Sequence, residues 1–209
     1  MNNSYTDLVK QTFHFPQEGV DLYKNSGYLE FNGLDLKPII EKYGTPLKLT
    51  FLPKIGININ RAKSYFEKAF KKHKYEGDYY YCYCTKSSHF SFIVEETLKH
   101  NIHLETYFGY DIEIINKLYK RKKISKETYI ICNGFKQKSY TSRIAKLINS
   151  GFKNVVPVLD NKEELQMYKG RIRTGEPFKL GIRIAAEEEP SFPFYTSRLG
   201  IKARDILEF

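Results

Sequence analysis

At 209 residues the chain has room for one large domain or two small ones, and its 41% hydrophobic and 28% charged residues are those of an ordinary globular protein. Aromatic residues make up 15%, all Tyr and Phe, which supplies enough buriable area to exclude a disordered chain. The net charge of +10 is scattered along amphipathic stretches such as 61–74 and 117–126, so it reads as solvated helix faces and not as a nucleic-acid-binding patch.

The opening residues, 1–15, mix acidic and polar side chains and lack the apolar stretch of a signal peptide. No apolar run approaches the roughly 18 residues that span a bilayer. A cytoplasmic protein without membrane contact is expected. Residues 46–51 read as a strand and 55–72 as a long amphipathic helix. From residue 79 onward, short β-rich runs at 79–85, 102–108, 129–132, 155–159 and 180–186 alternate with helical patterns at 92–99, 111–120, 142–150 and 162–168. Asn161 is placed to cap the last of these helices, whose first turn carries Glu163 and Glu164, and Gly151 follows the helix ending near Ser150. Strands beginning about 25 residues apart are what parallel strands joined by helices require.

Five such units fit either a doubly wound sheet or a barrel. A dinucleotide-binding sheet carries a glycine-rich turn after its first strand, and Thr85-Lys86-Ser87-Ser88 has no glycine. The expected fold is therefore α/β, a partial TIM (β/α)8 barrel of about five βα units. The leading strand does not fit the alternation and is assigned to a second, β-rich region. The expected division is an amino-terminal extension and strand over 1–52 and the first part of a barrel over 53–209. Eight units need about 250 residues, so the barrel reading expects the chain to continue past Phe209. Five strands alone would leave two open edges.

The three cysteines, Cys82, Cys84 and Cys132, are odd in number and lack metal-ligand spacing. They are expected to be small buried core residues in a reducing compartment. The run Glu187-Glu188-Glu189 reads as a solvated loop, and no metal site is expected. Barrel enzymes keep their reactive groups at the carboxyl ends of the strands, where Lys86 ends the first one. Two-residue alternation puts Tyr80, Cys82, Cys84 and Lys86 on one face. Burial there would favour the neutral amine, the form that condenses with an aldehyde. The alternative for Lys86 is a strand-end lysine reaching out to solvent.

Tyr43-Gly44-Thr45-Pro46-Leu47, then a helix, then a strand ending in Lys86, resembles the opening of the fold-type III pyridoxal-phosphate decarboxylases, relatives of alanine racemase that act on arginine, ornithine and diaminopimelate. His103-Leu104-Glu105 is similar to their second strand. Ile131-Cys132-Asn133-Gly134-Phe135-Lys136 looks like the third-strand segment of biosynthetic arginine decarboxylases. Gly181-Ile182-Arg183-Ile184 resembles a fifth strand bearing an arginine, and Ser197-Arg198-Leu199-Gly200-Ile201 the turn after it.

The resemblance implies pyridoxal 5'-phosphate carried on Lys86, with Glu105 and Arg183 near it and the pyridine ring acting as an electron sink. It implies a small amino-acid substrate, arginine giving agmatine for polyamine synthesis, with ornithine and diaminopimelate as the alternatives. It also implies a homodimer in the complete protein, with Arg198 near the partner subunit. Asn133 either contacts the site or only turns the chain. One segment departs from the resemblance: Thr106-Tyr107-Phe108-Gly109 is bulkier than the small residues expected beside a cofactor. A non-catalytic relative acting as a binding protein is the competing reading.

Overall fold

The computed structural model describes residues 20–22, 29–173, 177–185 and 200–207. The chain divides into two compact units, Met1–Phe51 and Leu52–Phe209.

In the first unit, β1 (Val20–Leu22), β2 (Leu29–Phe31) and β3 (Leu34–Asp35) pair antiparallel in that order. The β2–β3 link is Asn32-Gly33, with φ of 51° and 78°. Two successive left-handed residues match the right-handed twist of a tight hairpin, and Asn-Gly is the pair that adopts them most readily. Helix α1 (Lys37–Tyr43) follows, with a proline in its first turn. The Lys37 amide donates to Asp35 Oδ1 at 2.9 Å, and Gly44 closes the helix at φ 76°. Residues 46–51, expected as a strand, are not one. Their apolar residues suggested it, but among the described residues no neighbour offers the ladder a strand needs, and Phe51 instead packs edge-on against Phe31 with ring centroids 6.1 Å apart.

The second unit opens with α2 (Pro53–His73), ended by Lys74 in the left-handed region. Strands and helices then alternate: β4 (Cys82–Cys84), α3 (Ser91–Leu98), β5 (His103–Thr106), α4 (Asp111–Lys120), β6 (Ile130–Cys132), α5 (Lys138–Asn149), β7 (Val155–Leu159), α6 (Lys162–Gln166), β8 (Gly181–Ile182) and α7 (Ala203–Ile206). The five strands form one parallel sheet in sequential order, β4-β5-β6-β7-β8. Crossovers of one hand that always step the same way put every helix on the same face. A doubly wound sheet must reverse its order somewhere. The arrangement is consistent with a sector of a barrel.

Burial confirms a single covered face. Leu104, Ile130, Cys132, Val155 and Leu159 are buried in one cluster with Ile59, Val94, Ile112, Ile115, Ile144 and Leu147 from the helices. The alternate residues, Cys82, Cys84, His103, Glu105, Ile131, Val156 and Val158, lie on the opposite, half-buried face. The expected elements thus stand where the alternation placed them, with shorter strands. Helix α5 begins four residues ahead of its expected start. Asn161 caps α6, its Oδ1 accepting from the Glu164 amide at 3.0 Å. Of the cysteines expected to be buried, Cys132 is, but Cys82 and Cys84 are only half-buried because they sit on the uncovered face.

Among the described residues no helix is long and apolar enough to cross a membrane, and no cluster of three His, Cys, Asp or Glu side chains could hold a metal ion.

Candidate active site

Parallel strands deliver their carboxyl ends, and the loops that follow, to one rim of the sheet. At that rim β4 hands over to the turn that carries Lys86. Thr85 is fully buried, and both its amide and its hydroxyl donate to the Glu105 carbonyl, at 3.0 and 3.1 Å. The Ser87 amide donates back to the Cys84 carbonyl at 3.2 Å. Lys86 is exposed, and its Nζ lies 4.7 Å from the centroid of the Tyr107 ring. The expectation of a buried lysine behind two cysteines is corrected. The strand ends at Cys84, so the turn lifts Lys86 out of the pleat's alternation.

Below the rim, Cys84 and Glu105 are opposite one another in the β4–β5 register. Glu105 Oε1 accepts from Asn133 Nδ2 at 3.1 Å and from Cys84 Sγ at 3.6 Å. Asn133 Oδ1 accepts from the Gly134 amide at 2.9 Å, so Asn133 links the end of β6 to β5 as well as turning the chain. Burial, with the Glu105 charge adding to it, pushes the Cys82 thiol up to about 11. The half-buried cysteines are therefore protonated thiols at neutral pH.

At the other side of the sheet, β8 runs on to Arg183, whose amide donates to the Leu159 carbonyl at 2.9 Å. Its Nη1 lies 3.8 Å from Asp160 Oδ1. Asp160 is buried, and neither carboxylate oxygen has a hydrogen-bond partner among the described residues. Gly181 faces Val156 and Val158, with a Cβ there falling 3.1 Å from Val158 Cγ2. That contact, with two-residue alternation, sets Arg183 on the uncovered face.

The burial of two charged residues beside this rim was not foreseen from the sequence. Lys136 and Glu164 are both fully buried, with Nζ to Oε2 at 3.7 Å. Lys136 Nζ also donates to the carbonyls of Gly134 and Val158. Glu164 accepts the amide of Lys136 on Oε1 at 2.8 Å and that of Asp160 on Oε2 at 3.0 Å. Burial draws the Lys136 amine below the ordinary lysine range, opposed by the nearby Glu164 charge.

The structure thus gathers the expected residues along one rim in separate pairings: Lys86 with Tyr107, Glu105 with Asn133 and Cys84, Arg183 with Asp160. Among the described residues Lys86, Glu105 and Arg183 make no direct contact with each other. Arg198 and the run 187–189 lie outside the described residues. Lys86 is exposed and its Nζ has no ion pair among the described residues, so the aldehyde end of pyridoxal phosphate can reach it.

No family model matches this sequence, and no curated protein does. Among solved structures, the chain is similar to the biosynthetic arginine decarboxylase SpeA from Campylobacter jejuni, with a TM-score of 0.65 at 18% identity. The match covers 91% of this chain and 32% of that one, so the chain spans about a third of the enzyme's length. In fold, this chain is like an amino-terminal portion of a biosynthetic arginine decarboxylase.

Proposed function

We propose that the chain is the amino-terminal part of a pyridoxal-phosphate-dependent decarboxylase of a basic amino acid, arginine first among the substrates, in a cytoplasmic homodimer. The observation that supports it most is the placement of Lys86. It is an accessible amine at the carboxyl end of the first strand of a parallel sheet whose fold is like that of an arginine decarboxylase. When bound, the cofactor's pyridine ring accepts the electron pair released as the substrate loses CO₂.

The chain's own residues divide the remaining work. Lys86 holds the cofactor through its Nζ and serves as nucleophile when product is released. Glu105, fixed by Asn133 at 3.1 Å, presents a carboxylate on the open face to a polar group of the cofactor. Arg183, oriented by the buried Asp160 charge, presents a guanidinium for an anionic oxygen on cofactor or substrate. Tying each of these groups to a neighbouring strand limits its freedom before any ligand arrives, as orientation requires.

The test is chemical. The full chain is incubated with pyridoxal phosphate, reduced with borohydride and mapped by mass spectrometry. The expected product is a stable secondary-amine linkage on Lys86 well above that on any other lysine, and absent from K86A. Labelling spread evenly over the surface lysines would overturn the assignment. Residues 1–209 alone are expected to be inactive, so release of CO₂ from arginine, ornithine and diaminopimelate by the complete protein that carries them then separates the three substrates. Labelling of Lys86 without turnover of any of them would favour the non-catalytic binding protein.

A further inference from the structure

The bulky segment after β5 is a departure that the resemblance leaves unexplained. Tyr107 stands where a small residue is expected, and the structure fixes it on three sides. Its amide donates to Asp111 Oδ2 at 2.7 Å, and the next amide, of Phe108, donates to the same oxygen at 3.0 Å. Asp111 is itself buried in the first turn of α4. The Tyr107 ring lies against Gly134, where a Cβ would fall 2.8 Å from both Cδ2 and Cε2. Gly134 also has φ 75°, so backbone conformation and the ring both demand glycine there. The Phe108 ring meets the Tyr107 ring edge-on, with centroids 4.7 Å apart. Lys86 Nζ rests above the Tyr107 ring so fixed, 4.7 Å from its centroid.

We propose that Tyr107 is a positioning residue that parks the Lys86 ammonium on its ring while no ligand is bound, so that the amine must leave the ring before it reacts. The ring's quadrupole attracts the charged amine and has no comparable attraction for the neutral one. An aldehyde therefore competes with the ring for Lys86, and the ring sets how readily the lysine is captured. The functional meaning of this restraint rests on Lys86 being the reacting amine.

The restraint itself can be read without any cofactor. The full chain is acylated with a limiting N-hydroxysuccinimide ester, and the rate at Lys86 is divided by the rate at Lys120, an exposed helical lysine. A cation–π contact of about 0.5–1 kcal/mol corresponds to roughly a two- to fivefold change. Y107L is expected to raise the ratio by that factor, and Y107F, which keeps the ring, to leave it at the wild-type value. An unchanged ratio in Y107L, or an equal rise in Y107F, would overturn the proposal.

A second measurement needs no Tyr107 variant. When the lysines are ¹³C-dimethylated, which preserves their charge, the Lys86 methyl signal, identified by its loss in K86R, is expected upfield of the other lysines through the ring current. A Lys86 signal within the envelope of the others would also overturn the proposal. Failure of pyridoxal phosphate to label Lys86, with the acylation ratio behaving as expected, would instead remove the decarboxylase reading and leave the parked lysine standing.

Discussion

The Lys136–Glu164 pair shows what a buried charge requires. Each side chain is fully buried, and Glu164 accepts the amides of Lys136 and Asp160 while forming an ion pair with the Lys136 ammonium. Removing one partner of such a pair strands the other charge at a cost of about 3–5 kcal/mol. E164A, which also orphans two amides, is expected to lose stability in that range by urea denaturation. K136M likewise strands the Glu164 charge and orphans the Gly134 and Val158 carbonyls, so it is expected to lose stability in the same range. A wild-type denaturation midpoint in either variant would refute this. The pH dependence has a definite sign. Because the folded chain holds the Lys136 proton less tightly than the unfolded chain, whose lysine titrates near 10.5, stability rises with pH between the lowered folded value and about 10.5. Cys132 acts oppositely: burial raises its thiol from 9.0 to about 11, so its contribution is present below pH 9 and lost as pH climbs towards 11. The wild type minus K136M difference isolates the lysine and is expected to move in favour of wild type across the alkaline range. Lys86 was legible in the sequence as the residue closing a strand, but its exposure was not, because the strand ends two residues early. The burial and pairing of Lys136 and Glu164 were not legible, since a one-dimensional pattern does not separate a buried charge from the solvated charges around it.

Local signals were most reliable where one side chain answers one backbone need. Asn161 was expected to cap α6 and does so. N161A should therefore cost about 1 kcal/mol, and a denaturation midpoint indistinguishable from wild type would show that the cap carries no weight. Asn32-Gly33 carried an equally clear hairpin signal, but the strands beside it are only two and three residues long, too short for alternation to mark. The start of α5 was misplaced for a different reason. Ser139, Tyr140 and Thr141 have weak helix propensity, yet Tyr140 and Thr141 are buried, and the Tyr140 hydroxyl lies 2.8 Å from Thr106 Oγ1. Tertiary packing, invisible from the segment itself, decided the boundary. Residues 46–51 failed the other way, with apolar character enough for a strand and no partner to pair with.

The barrel sector was legible because its evidence recurs unit after unit along residues 79–186. Five strand-and-helix periods, and the lack of a glycine-rich turn after the first, pointed to it, and the sequential order β4-β5-β6-β7-β8 agrees. The substrate was not legible, because recognition depends on where a few side chains converge in space. The sheet also sets how the chain should behave alone. Among the described residues β4 pairs only with β5, and the far edge of β8 continues only as a single bridge from Ile184 to Ile201. Unpaired edges recruit other strands. A preparation of residues 1–209 is therefore expected to self-associate with rising concentration in sedimentation velocity. A sharp monomer that melts cooperatively at every concentration would contradict this.

Glu164 ties together two stretches that are 24 residues apart, since one carboxylate takes an amide hydrogen from the end of the β6 loop and another from the end of β7. Neither amide can be released to solvent without loosening the carboxylate that holds the other. In deuterium exchange the Lys136 and Asp160 amides should therefore open in a single event with a shared protection factor, marking the rim beside Arg183 as one cooperative block and not as two independent loops.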